Sequence, residues 1–204
     1  MIDLYAFATP NSVKVPILLE ELGVDYVYHP VNIRQGEQKA SWFQTLNPNG
    51  KVPVIVDSEG PGGEPLTITE SAAILVYLAE KSGRFLAREG DARVRAFEWL
   101  FFHAAGLGPA FGQSGYFQKL APEPIPAAIE RFHGEARRTL NVLDGRLAEA
   151  EYLAGTYSIA DIAKFGWVWR REFANVDLAE TPHVERWYAA VEARPAVQRA
   201  IGRL

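Results

Sequence analysis

Three short segments at the start of the chain constrain its fold more than anything else in it. Ile2–Phe7 is an apolar strand candidate. Val13, Val15, Ile17, Leu18, Leu19 and Leu22 line one side of a helix that Gly23 stops. Tyr26–Val31, rich in aromatic and β-branched residues, reads as a second strand. A strand, a helix and a strand with almost no spare chain between them leave a right-handed crossover that pairs the two strands in parallel. Pro30 removes a ladder donor, so the end of the second strand is expected at a sheet edge. The turn into the helix is Ala8-Thr9-Pro10-Asn11-Ser12. Backbone N–H groups at a helix start lack intrahelical partners, and the macrodipole there favours an anion, including a thiolate, whose pKa falls in that field. An ordinary strand–helix turn capped by Asn11 or Ser12 fits the same residues.

Farther along, Arg34–Lys39 is a polar loop, and Ser41-Trp42-Phe43-Gln44 has the Ser-x-x-Gln spacing of a capping box. Asn47-Pro48-Asn49-Gly50 is a turn. Val52–Val56 is a third strand that begins around a proline, Pro61-Gly62-Gly63 marks a hairpin, Leu66–Ile68 is a fourth strand and Ser71–Lys81 a helix. The order β-α-β, then β-β-α, is that of a thioredoxin-like domain. Gly83–Gly90 has linker composition. Beyond it the helical pattern dominates: Asp91–Ala105, Ile125–Ala148, Ser158–Phe173, Pro182–Ala193 and a short segment from Pro195. The expected fold is therefore α/β plus all-α, with a thioredoxin-like domain over residues 1–83, a helical bundle over 90–204 and a boundary near Leu86.

With 204 residues, 48% of them hydrophobic, the chain can bury a substantial core. A net charge of -4 and no recurring basic stripe give no support for nucleic-acid binding. The absence of cysteine excludes disulfides, thiolate metal sites and a cysteine nucleophile. His29, His103, His133 and His183 lack metal-ligand spacing, so no metal is expected. No stretch approaches a membrane span, and a cytoplasmic location is expected. Ser158-x-x-Asp161 is best read as a capping box at a helix start, with no histidine placed to complete a hydrolase triad. Gly106–Gly112 lacks the lysine and preceding strand of a phosphate loop and reads as a place where helices approach closely, beside a pocket lined by Gln113, Tyr116 and Phe117.

Four motifs, in order and placement, resemble the cytosolic glutathione transferases over essentially the whole chain: Asn47–Pro53, Glu70-Ser71-Ala72-Ala73-Ile74, Ser158-Ile159-Ala160-Asp161 and Pro182–Trp187. Within that superfamily, Thr9-Pro10-Asn11 and Gly106-Leu107-Gly108-Pro109 with Gly112-Gln113 are similar to the bacterial nu class of glutathione-dependent disulfide reductases. Ser12 departs from the glycine usual there.

The resemblance implies glutathione, reduced or as its disulfide, as co-substrate. Pro53 would be a cis proline that turns the Val52 N–H and C=O toward the cysteinyl unit; a trans proline opening a strand is the plainer alternative. Glu70 and Ser71 would hold the γ-glutamyl end, although Thr69 as N-cap with Glu70 in the first turn accounts for the same pair by capping alone. Gln38 and Lys51 would meet the glycyl carboxylate, and Arg131 is the arginine of the helical domain placed to reach the ligand, its alternative being a solvent-facing helix charge. Thr9 and Asn11 would donate to the sulfur. Ser12 in that role would instead make a conventional transferase that conjugates apolar electrophiles. The partners implied are a small-molecule disulfide or electrophile and a second copy in a homodimer. A non-catalytic module of the same fold is the alternative from another class.

Overall fold

The computed structural model describes all 204 residues. Strand β1 (Ile2–Ala6) alternates, burying Ile2, Leu4 and Ala6. It runs parallel to β2 (Tyr26–Pro30), from Ile2↔Tyr26 to Ala6↔Pro30, and helix α1 (Lys14–Leu22) makes the crossover. Gly23, at φ 69°, takes the left-handed conformation that ends α1. Strand β3 (Val54–Asp57) pairs antiparallel with β1 and with β4 (Leu66–Thr69), giving the sheet order β2-β1-β3-β4. Pro30 therefore ends an edge strand, where its missing N–H costs no ladder bond. The β3–β4 hairpin closes through the Gly60 N–H to the Glu64 carbonyl at 3.0 Å, and a Cβ on Gly60 would stand 2.5 Å from that oxygen. Helix α3 (Ser71–Ser82) follows β4. This mixed sheet and its helices form the thioredoxin-like unit.

Its core is made by Leu4, Ile17, Leu18, Val54, Ile55, Ile74 and Leu75, all fully buried, each contributing on the order of 1.5–3 kcal/mol of burial. Phe43 of the short helix α2 (Ser41–Leu46) packs with Val31 and Val54 in a smaller cluster. Two local expectations fail here. The Ser41–Gln44 capping box does not form, because Ser41 is already the first helical residue and Ala40 is the N-cap, with no side-chain cap bond. Thr69 does not cap α3: it remains paired with Val54 at the end of β4, so the chain turns one residue later, at Glu70.

The second unit, Phe85–Ala193, is all helix: α4 (Gly90–Phe102), a π-helical segment His103–Leu107, α5 (Gly108–Lys119), α6 (Pro126–Glu149), α7 (Ile159–Trp169), a 3-10 turn Arg171–Ala174 and α8 (Pro182–Glu192). Every residue from Ile159 to Val168 is buried, which marks α7 as the central helix. Its start carries the expected capping box. Asp161 Oδ2 accepts the Ser158 N–H at 3.0 Å, while Oδ1 accepts from the Leu153 N–H at 3.1 Å and Trp187 Nε1 at 3.0 Å. Burial pushes the Asp161 carboxyl up, and these donors hold it down against that push.

Helix α5 was not among the expected helices. Its glycines are poor helix formers, but they admit neighbours. A Cβ on Gly115 would lie 2.1 Å from a Phe173 ring carbon, and one on Gly112 would lie 3.4 Å from Trp167. The close approach read from Gly106–Gly112 is thus present.

The last helix, α9 (Pro195–Gly202), groups with the first unit, which comprises Met1–Arg84 and Arg194–Leu204. The 90–204 domain range differs from this division by that segment. Ala196, Val197 and Ala200 are buried, α9 packs on α1, Arg194 pairs with Glu21 at 2.5 Å and Arg199 with Glu20 at 2.8 Å. No helix is long and apolar enough to cross a membrane.

Candidate active site

The sheet register gathers three distant pieces of sequence. Tyr5 faces Val54, which faces Thr69. At that end of the sheet β1 and β4 finish and β3 begins. The turn Ala8–Ser12, the approach to β3 and the Glu70–Ser71 junction therefore emerge at one end of the sheet. The Val52–Pro53 peptide is cis, and the ladder begins only at Val54, which leaves Val52 outside it.

At the helix start neither Asn11 nor Ser12 is the cap: the N-cap is Val13, with no side-chain cap bond, and Thr9 closes the turn that precedes α1. The Thr9 Oγ1 accepts the Ser12 N–H at 3.1 Å and its carbonyl accepts the Val13 N–H at 3.1 Å, so this turn winds from Thr9. The Thr9 hydroxyl donates to Ser12 Oγ at 3.0 Å. Ser12 is fully buried, whereas Thr9 and Asn11 are half-buried.

Behind this turn lies a residue that the motif reading missed. Lys14 is 1% exposed, and its Nζ donates to Asn11 Oδ1 at 2.8 Å and to Ser71 Oγ at 3.1 Å. Burial pushes its ammonium down to about 7, with the Glu70 carboxylate pulling it back up. A signal was available: a lysine between Val13 and Val15, inside the apolar stretch that opens a helix, is out of pattern for a solvated charge. Glu70 is exposed, sits at φ 64° and leads into the N-terminus of α3. Positive φ in a non-glycine residue is a sparsely populated conformation of the kind that clusters at ligand clamps.

A second group lies on the loops before β3. Asn47 Nδ2 donates to the Lys51 carbonyl at 2.7 Å, its Oδ1 accepts the Asn49 N–H at 3.0 Å, and Gly50 turns at φ 62° beneath the Gln38 carbonyl. Gln38 Oε1 is buried without a hydrogen-bond partner, and Lys51 is exposed. Arg131 belongs to the second unit, exposed on α6. There Gln113 and Tyr116 are exposed, while Phe117 stacks on Phe132 at 5.4 Å.

Taken together, Asn11 and Ser71 meet at Lys14, Thr9 and Ser12 pair in the adjoining turn, and the exposed Glu70 carboxylate acts on Lys14. Donors at a helix start, a second helix N-terminus and a buried cation suit a ligand carrying more than one negative group. With no cysteine in the chain, any sulfur chemistry there depends on the ligand.

Comparison with known proteins agrees with that fold. The family model of the glutathione S-transferase N-terminal domain matches residues 8–81, and that of the C-terminal domain matches residues 101–195. The chain belongs to the glutathione S-transferase family. Within it, the chain is 45% identical over 205 residues to the disulfide-bond oxidoreductase YfcG of Escherichia coli K12, covering 98% of this chain and 94% of that protein. A glutathione transferase family member from Pseudomonas fluorescens Pf-5, solved with two glutathione bound, superposes with a TM-score of 0.93 at 43% identity, over 98% of this chain and 92% of that one. A glutathione transferase from Pseudomonas putida, solved with one glutathione disulfide per subunit, also gives 0.93, at 41% identity over 98% and 90%.

Proposed function

We propose that the protein is a glutathione-dependent disulfide-bond oxidoreductase. The observation that carries this reading is the cysteine-free helix start. Thr9 and Asn11 occupy the turn where a thioredoxin-like domain would hold its own sulfur, so glutathione supplies it. Thr9 and Asn11 donate to the bound thiolate. Either hydroxyl of the Thr9–Ser12 pair can donate to the other, so Thr9 turns its proton to the sulfur while Ser12 donates back. The Val52 N–H and C=O pair with the cysteinyl unit, and Glu70 and Ser71 hold the γ-glutamyl amine and carboxylate. Lys51 meets the glycyl carboxylate together with Gln38, whose amide turns to present Nε2.

The thiolate attacks one sulfur of a substrate disulfide, forming a mixed disulfide and releasing the other sulfur as a thiolate, which takes up a proton. A second glutathione thiolate attacks the mixed disulfide at the glutathione sulfur and displaces the remaining substrate thiol. Two glutathione thiols are thereby oxidised to one disulfide for each substrate disulfide reduced. A thiol pKa lowered by two units is worth roughly 3 kcal/mol of thiolate stabilisation. The protein acts on small-molecule disulfides in the cytoplasm as a homodimer, with neither nucleic acid nor membrane as partner. Exposed Val94 and Phe101, seven residues apart on α4, support the dimer.

The deciding experiment compares catalytic efficiency for reduction of hydroxyethyl disulfide with that for conjugation of chlorodinitrobenzene in one preparation. Faster reduction is expected. Efficient conjugation with negligible reduction would replace this function by conventional transfer.

A further inference from the structure

Lys14 makes none of the ligand contacts proposed above. A lysine ammonium can only donate hydrogen bonds, and Lys14 spends two of its N–H groups on Asn11 Oδ1 and Ser71 Oγ. The first contact settles which way the Asn11 amide faces. With oxygen toward Lys14, Nδ2 points away and carries the donors for a ligand. The second fills a lone pair of the Ser71 hydroxyl and leaves its O–H to be donated outward. In the ammonium form every N–H is a donor and both consequences hold; a neutral amine still donates to Asn11 Oδ1, so the Asn11 orientation persists, but its lone pair can accept the Ser71 O–H.

We infer that Lys14 is a positioning residue that fixes Asn11 and Ser71 together as donors, so that the sulfur end and the γ-glutamyl end of one glutathione are recognised as a coupled pair. The inference rests on the glutathione reading above. The supporting features are Lys14's burial, its position between residues from two separate helix starts, and the nearby Glu70 carboxylate, the charged group acting on it. A lysine kept in a dry interior only as a helix residue would be better replaced by an apolar side chain of its length. Here it joins two segments that are 57 positions apart in sequence.

The test is Lys14→Met, which keeps the length and removes the donors. The readouts are glutathione affinity by calorimetry and the pH midpoint of the bound thiolate's ultraviolet absorbance. Expected are a loss of affinity of about tenfold and an upward shift of the midpoint by about one unit. In an Asn11→Ala background the same substitution should move the midpoint no further. An unshifted midpoint, or equal shifts in both backgrounds, would overturn the inference. If Lys14→Met fails to fold, the cycle of Asn11→Ala and Ser71→Ala is measured with Lys14 intact. Non-additive losses of affinity are expected, and strict additivity would overturn the coupling. No glutathione binding by the unsubstituted protein would instead overturn the functional reading itself.

Discussion

Thr9, Asn11 and Ser12 differ in what a single substitution removes. On the proposed roles, Thr9→Ala removes a donor to the sulfur together with the Oγ1 that accepts the Ser12 N–H, and Asn11→Ala removes a donor together with the Oδ1 that accepts from Lys14. Each should lower the rate of disulfide reduction by about 10- to 100-fold, the worth of one charge-assisted hydrogen bond. Ser12→Ala acts only through Thr9 and should cost less than about tenfold. Rates of the three variants on one small disulfide check the ranking. Asp57 sets a pH dependence of stability. Burial alone would raise its carboxyl, but Lys81 at 2.5 Å, Tyr77 at 2.7 Å and the Glu59 N–H at 2.9 Å together bring it below the usual range. A carboxyl lowered by folding stabilises the protein above its unfolded pKa and loses that contribution as the pH falls through the folded value. Denaturant unfolding should therefore show stability falling below about pH 4, and Asp57→Asn should flatten that fall while costing about 1–2 kcal/mol at pH 7. At this scale, motif order carried the candidate residues, most of them polar groups at turns or helix starts, with Val52 and Pro53 before β3 and Arg131 on α6 as the exceptions. Lys14 stayed hidden because its part depends on Ser71, which only the tertiary fold brings near.

Elements were legible where local chemistry and tertiary packing agree. Ser158 and Asp161 start α7 as their spacing indicates, because the same carboxylate that closes the box also ties down Leu153 and Trp187. Ser41 and Gln44 have a similar spacing but lie inside the first turn of α2, where nothing distinguishes them in sequence from a true cap. Helix α5 shows the opposite conflict, with glycines that discourage a helix in isolation and Phe173 and Trp167 packed where side chains would have been. Its stability should thus respond to glycine replacement in reverse of propensity. Gly115→Ala is expected to destabilise by about 1–3 kcal/mol through overpacking. Gly134→Ala on α6, where a Cβ meets nothing within 4 Å, should stabilise by about 0.5–1 kcal/mol. Opposite shifts in thermal midpoint for the two variants would check this. A shared sign would show that propensity, not packing, governs both.

Over the whole molecule, the two fold types were legible from the change in hydrophobic period near residue 85, but the place of α9 was not. A short amphipathic helix carries the same pattern whichever core it joins. Its address is written in Arg194 and Arg199, which meet Glu21 and Glu20, acids whose side chains are only 8% and 10% exposed. Truncation after Ala193 leaves both carboxylates without these partners and uncovers the side of α1 that Val197 and Ala200 cover. A loss of about 3–5 kcal/mol is expected in denaturant unfolding, by analogy with breaking buried pairs. Sedimentation of the intact protein should give twice the monomer mass. An arginine-lined helix that closes the first unit also fixes an order of events during synthesis. The first unit is begun before the helical unit is made and finished after it, so it waits, open along α1, while residues 85–193 are made and folded. A newly made chain should therefore become able to hold glutathione only once α9 has left the ribosome, and a ribosome stalled before Arg194 should display a chain whose helical unit is complete and whose first unit is not.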